Sequence, residues 1–450
     1  MTTVAAEVRA HSRPQPASLT ERIVLAYAAM WIVFLIGGFR MPWEPIPLDD
    51  DVTFSLRRQI VFSLGGLLSI HQLMQNGRLG LRVGLHLGWV GLSLGLVASL
   101  LWSTDHALTM KRSMVHLFGI ALLLATIDMH RRPWRYFLRT VTLAVGACAW
   151  ISIAQQFLWS PACWSIPWRP GLAGLSGHPN VLGPCMQVGF LLSLALTPRT
   201  NREILVFRTM QVGMAVALFK TDSMTSITST IAGTAIFFAL STTSYRAGLI
   251  QLAVVLGVGV ALAIGMDELR AVFFSTTGRD ASLSGREHLW DMVLEKSEAH
   301  PLLGTGFGAF WYANRGVQLV LTWNPKQAHN SWIDILAELG WIGMVAFVVL
   351  VPLRLLPMWQ RCAGLRGTQR RAAVAAAFAS AIALLAFASR SESFFLRMDK
   401  LQWFLTVWSL MLLENRGANA TEVEFRDDVP HDKHRWSHAV EAGGSATPTG

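Results

Sequence analysis

Long apolar runs dominate this chain and limit what it can become. They fall at 23–38, 60–74, 83–101, 113–129, 137–159, 181–196, 204–219, 227–240, 249–264, 332–350, 372–388 and 401–413. A helix needs about 20 residues to cross a bilayer, with a tolerance of a few, and most of these runs meet that length. Runs 60–74 and 401–413 need flanking residues to complete a span. Backbone groups in hydrocarbon must bond within their own segment, and no stretch alternates at period two as a barrel strand would. Composition agrees: 52% of the 450 residues are hydrophobic and 15% charged, against roughly 25% charged in soluble domains. The expected fold class is all-α, a polytopic membrane protein with about twelve transmembrane helices. A large extracytoplasmic loop, 266–330, is expected between the ninth and tenth.

The first run follows some twenty polar residues and precedes no A-x-A-like site, so it reads as a signal anchor. Cys148, Cys163, Cys185 and Cys362 have no metal-type spacing, which argues against a zinc site or a disulfide framework. The short connections 75–82, 130–135, 198–203, 242–246 and 354–371 draw nearly all their charge from Arg; the last holds Arg354, Arg361, Arg366, Arg370 and Arg371 with no acid. The alternate connections mix signs, as in Glu44 with Arg57, Asp105 with Lys111, and Asp222 with Lys220. The positive-inside rule then places both termini in the cytoplasm and 284–330 outside. A net charge of +10 follows from this topology and from anionic lipid, without nucleic acid. The tails 1–22 and 414–450 are polar, and the second reads as disordered.

Chemistry has few places to sit. Ser284-Gly285-Arg286-Glu287 is a capping-box pattern followed by Leu289, Trp290, Val293 and Leu294 on one helical face, which puts Arg286 in a first turn. His300-Pro301 ends that helix, and Gly304, Gly306 and Gly308 make the next stretch a bending loop; no strand precedes them as a nucleotide fold would need. His329-Asn330 stands just before Ser331-Trp332-Ile333-Asp334, which opens the next span. Two helix starts, one bearing an Arg and one a His, make an anion cradle. The outer loop 160–180 holds Trp164, Trp168, Arg169 and Gly177-His178-Pro179-Asn180, where Trp faces suit sugar rings, Arg169 suits phosphate, and Asn180 can cap a helix starting at Val181. Asp49-Asp50-Asp51 is a rival centre that could hold a divalent metal. Arg390, Glu392, Arg397, Asp399 and Lys400 crowd the start of the last helix and could line a polar cavity. Each has an ordinary reading too: interfacial charges meet headgroups, Trp forms belts, and acidic runs are solvated.

Taken together, Ser284-Gly285-Arg286 with Trp290, the run from His300 through Gly304-Thr305-Gly306-Phe307-Gly308 to Trp311, His329-Asn330, and Glu338-Leu339-Gly340-Trp341-Ile342-Gly343 resemble the O-antigen ligase and polymerase superfamily. The stretch from Gly308 to Trp311 is most similar to its exopolysaccharide-polymerase branch, and Gly177-His178-Pro179-Asn180 after Arg169 matches that family's earlier outer loop.

The resemblance implies a transmembrane glycan polymerase or ligase domain over 23–413, in the bacterial inner membrane with its active site facing the periplasm. It implies no metal and no cofactor. The donor would be an undecaprenyl-pyrophosphate-linked oligosaccharide, the acceptor a glycan or a lipid A-core, and membrane lipids and other polysaccharide export components would be its surroundings. Arg286 would neutralise the leaving pyrophosphate, and His329 would orient or deprotonate the acceptor hydroxyl. Arg169, His178, Asn180, Lys220, Ser223, Asn330 and Arg390 would complete the substrate site. One departure stands out: the family often follows a Ser at an outer helix end with Arg or Lys, whereas Met224 follows Ser223 here. The leading expectation is a polymerase of exopolysaccharide repeat units. The alternatives are a ligase delivering a finished glycan to lipid A-core or protein, a flippase of lipid-linked sugar, and a metal-dependent enzyme centred on Asp49–Asp51.

Overall fold

In hydrocarbon the helix satisfies its own backbone, and among the described residues only an isolated bridge between Ile166 and Arg169 departs from helix and loop. The computed structural model describes residues 19–38, 40–46, 56–129, 133–167, 169, 171–241, 286–313, 325–352, 355, 368–387, 389 and 392–414. Its α-helices are α1 Leu19–Gly37, α2 Leu56–Gln75, α3 Leu79–Leu85, α4 Leu87–Ala98, α5 His106–Met129, α6 Pro133–Leu158, α7 Pro179–Ser193, α8 Asn201–Lys220, α9 Met224–Ser241, α10 Arg286–Ser297, α11 Phe310–Ala313, α12 Ser331–Leu350, α13 Thr368–Ile382 and α14 Leu401–Glu414. Among the described residues five helices (α1, α5, α6, α9 and α12) are long and apolar enough to cross a membrane. A sixth is added if α3 and α4 are one broken span. The expected ninth run, 249–264, the acidic cluster at 49–51 and much of 266–330 lie outside the described residues.

The 83–101 run is not one straight helix: its two parts meet at His86 at 93°. The cause is distant polar partners. Arg82 donates to Asp128 at 2.7 Å, while His86 and Trp89 meet the Glu414 carboxylate at 3.3 and 3.1 Å. These bonds hold the elbow where an apolar tally sees a continuous span.

The core is organised around α14, whose residues Leu401–Leu412 are all buried. A helix apolar on every side must be wrapped by other elements. Trp408 packs on Phe137 of α6 (4.8 Å between ring centroids), Phe404 on Trp31 of α1 (5.9 Å), and Trp403 on Phe347 of α12 (5.7 Å). Thr406 and Ser409 donate to carbonyls one turn back, and Gln402 donates to the Cys185 sulfur of α7.

Helix α12 is broken inside the span. Gly340 has φ 63° and ψ −166°, so the ladder stops and restarts there. The freed backbone groups are met by the glycine-rich loop. Thr305 and Gly306 amides donate to the Ala337 and Glu338 carbonyls, and Trp341 and Ile342 amides donate to Pro301 and Leu302. Such close pairing requires glycine on both sides: a Cβ on Gly304 would lie 2.4 Å from the Glu338 carbonyl carbon, and one on Gly340 2.4 Å from that of Leu302. Non-helical backbone at membrane depth is tolerated where protein covers it, and here it is covered.

Polar contacts join the connections into two groups. In one, Arg78 and Arg82 pair with Asp128, and Arg135 and Arg139 pair with Glu203. In the other, the Ile46 amide donates to Ala162, Leu172 to Lys220, Thr104 to Thr305, and Phe307 to the Ser99 hydroxyl. These groups correspond to the arginine-rich and mixed-charge connections of the sequence.

Candidate functional site

The segment before α12 and the one before α14 meet at Glu392. Its side chain is 8% exposed, and its carboxylate lies 3.2 Å from Nδ1 of His329 and accepts from Gln327 Nε2 at 2.6 Å. The Gln327 amide nitrogen is itself 3.2 Å from His329 Nδ1. Burial pushes the Glu392 carboxyl up, but the adjacent His329, by charge and hydrogen bond, outweighs it. The charges of Arg286 and His178 add to that effect, and the group is held at about 2 against an ordinary 4.5. His178, Arg286 and His329, far apart in sequence, therefore act electrostatically on one buried carboxylate.

Local structure explains each placement. Arg286 opens α10, where the helix dipole is positive. The helix is fixed by Leu289 and Val293, fully buried against Phe310, Trp311, Ala328 and Ala337, and by the Trp290 indole donating to the Ala328 carbonyl at 2.8 Å. Asp334, one turn into α12, accepts from the Trp311 indole at 3.0 Å and from the Ala328 amide at 3.1 Å. Asn330 caps α12 by accepting from Trp332 at 3.1 Å. This leaves His329 just outside the helix with φ 50°, a left-handed conformation that costs about 1–3 kcal/mol for a non-glycine residue. Ser331 then ties the segment to the last connection, donating to the Glu392 carbonyl at 2.9 Å and accepting from the Phe394 amide at 2.8 Å.

Among the described residues the non-glycine positions with positive φ are Asp222, His329 and Leu396. All three sit in the connections that build this region, and strained backbone tends to cluster at functional sites.

A neighbouring polar group extends the site. Arg169 Nη2 donates to Asn180 Oδ1 at 3.2 Å and to the Asp222 carbonyl at 3.3 Å. Asn180 is not the cap of α7. His178 is, its Nδ1 accepting from the Asn180 amide at 3.1 Å, because Pro179 occupies the first turn and moves the helix start two positions earlier. Ser223 is buried and bonds Ser226 at 3.0 Å, whereas Lys220 is exposed at the end of α8. Arg169, His178 and Asn180 thus form one cluster, while His329 pairs with Glu392 and the charge of Arg286 acts on that carboxylate. Asn330 serves α12 as its cap, and Arg390, Ser284 and Trp168 lie outside the described residues. Among the described residues no group of three or more His, Cys, Asp or Glu could hold a metal ion.

What residue reasoning missed is the partner of His329. Glu392 stood out as one charge in a crowded connection, and the signal was there: an acid at the lip of a span is costly unless paired. Its pairing across 63 residues of sequence was not readable. Gln327 and the Glu338 carboxylate, which holds both Arg112 and Arg397, were likewise hidden.

Comparison with known proteins adds two findings. Residues 210–348 match the model of the family described as O-antigen ligase. The chain is also similar to the exopolysaccharide production protein ExoQ of Rhizobium meliloti (strain 1021), at 27% identity over 154 residues, 30% of this chain and 34% of that protein. The match thus spans about a third of the relative's length. The matched family segment runs from α8 to α12 and contains Arg286, the glycine loop and His329. Through that segment this membrane protein is similar to the O-antigen ligase family and to an exopolysaccharide production protein.

Proposed function

We propose that the protein is a polyprenyl-pyrophosphate-dependent glycosyltransferase that polymerises exopolysaccharide repeat units at the periplasmic face of the inner membrane. The observation that carries this reading is the pairing of His329 with the buried Glu392 carboxylate, on which the charge of Arg286 also acts; His329 and Arg286 each stand beside the positive end of a helix. The donor is an undecaprenyl-pyrophosphate-linked glycan, and the acceptor is a sugar hydroxyl on a second lipid-linked glycan.

In the reaction the acceptor oxygen attacks the anomeric carbon. The bond from that carbon to the phosphate oxygen breaks, and undecaprenyl pyrophosphate departs with the electron pair. The hydroxyl proton passes to His329. With Nδ1 turned to the Glu392 carboxylate at 3.2 Å, the imidazole donates there and keeps Nε2 as its acceptor. That division of labour is the one by which a carboxylate fixes tautomer and orientation in hydrolytic triads. Arg286 meets the charge that builds on the leaving diphosphate, in a bidentate geometry that Lys does not reproduce. Since pyrophosphate is already a good leaving group, positioning and charge stabilisation supply most of what is needed. Arg169, with His178 and Asn180, supplies the second phosphate contact that the Met224 position leaves open; Lys220, Ser223, Asn330 and Arg390 border the substrate.

A second reading is favoured by the description of the matched family: a ligase that passes a finished glycan to lipid A-core or protein. The name of the relative favours exopolysaccharide. Purified protein incubated with lipid-linked repeat units alone separates the two. A growing ladder of products supports polymerase, and dependence on an added core lipid supports ligase. Arg286→Ala and His329→Ala should leave membrane abundance unchanged and abolish the product in either case; wild-type activity in either variant removes the proposed centre.

A further inference from the structure

Beneath the His329–Glu392 pair lies a second buried charge cluster to which the reaction gives no role. The Glu338 carboxylate, 5% exposed, sits 3.5 Å from Arg112 Nη1 of α5 and 3.3 Å from Arg397 Nη2 of the last connection. Both arginine side chains are 10% exposed. The Glu338 carbonyl accepts from the Gly306 amide at 2.9 Å. Three buried charges are a poor route to stability, since well-packed apolar residues of similar volume do as well or better. Geometry suggests another use.

We propose that Glu338, clamped between Arg112 and Arg397, is a positioning residue that sets the register between His329 and Glu392; the proposal rests on the glycosyltransferase reading of that pair. His329 and Glu392 belong to two separate segments. Near the pair, these are tied by Gln327 donating to the Glu392 carboxylate, by Ser331 bonding both the Glu392 carbonyl and the Phe394 amide, and by the Trp332 ring against Phe395. All of these lie just before α12 or in its first turn. The Glu338–Arg397 contact ties the same two segments again seven residues beyond Ser331 along α12, about 10 Å away, and so fixes their tilt. Arg112 then anchors the assembly to α5. The α12 break at Gly340 lies two residues beyond Glu338, so the segment carrying His329 moves as a short unit whose lower end is this carboxylate.

The test pairs turnover with amide hydrogen exchange in purified Glu338→Gln, using lipid-linked repeat units as substrate. The expected result is a kcat lower by about 10²-fold, the scale of a misplacement near 1 Å, with KM for the donor unchanged. Exchange at the Phe394 amide should rise about tenfold or more, and that of α6 amides should stay as in the unaltered protein. If the single variant does not accumulate, the triple replacement Arg112→Met, Glu338→Leu and Arg397→Met leaves no uncompensated charge; it should accumulate and show the same losses. Unchanged Phe394 exchange, wild-type kcat in the triple variant, or loss of abundance in both variants overturns the proposal. An unaltered protein inert toward every lipid-linked glycan would instead sink the functional reading, and the exchange result would stand apart from it.

Discussion

Replacing Glu392 by Gln removes the negative charge that pairs with His329 and on which the charges of Arg286 and His178 act. The folded carboxyl is held at about 2 against an ordinary 4.5, a difference equivalent to about 3 kcal/mol of folded-state stability at neutral pH. Because the folded value is the lower one, that stabilisation is complete above pH 4.5 and fades as pH falls through 2. The Gln variant, which cannot ionise, should therefore be less stable than the wild type at pH 7 by up to about 3 kcal/mol. The gap should close progressively between pH 4.5 and 2. Retention of a hydrogen-bonding carbonyl by Gln makes the figure an upper limit. Thermal melting in detergent across a pH series, followed by tryptophan fluorescence, measures the gap. Turnover on lipid-linked repeat units at pH 7 should fall by about 10²–10⁴, the range for losing an oriented general base. A stability gap that stays constant from pH 7 to pH 2, or turnover at the wild-type rate, would refute the pairing of Glu392 with His329.

Arg286→Lys keeps the charge but loses the planar fork, and should retain little more activity than Arg286→Ala in the same assay. Gly340→Ala forces a side chain into a left-handed backbone and to 2.4 Å from the Leu302 carbonyl carbon, so it should cost about 2–4 kcal/mol and reduce membrane abundance on immunoblots. Chelation with EDTA should leave turnover unchanged; strong inhibition would return attention to Asp49–Asp51.

The sequence by itself determined that the chain is helical and membrane-embedded, because run length and scarcity of charge are set by the thickness and polarity of the bilayer and need no knowledge of neighbours. It also marked Arg286 and His329, since helix starts are local events written within a few residues. Tertiary structure decided what those residues face. The elbow at His86 depends on Glu414, and the break at Gly340 is met by a loop more than thirty residues earlier. Glu392 and Glu338 were visible only as expensive charges until His329 and the two arginines were brought to them. Periodicity reports which face of a helix is apolar, whereas the partner of a buried charge is fixed by packing between elements distant in the chain. That pairing joins His329, Glu392, Glu338 and the two arginines, scattered in the chain, into buried contacts.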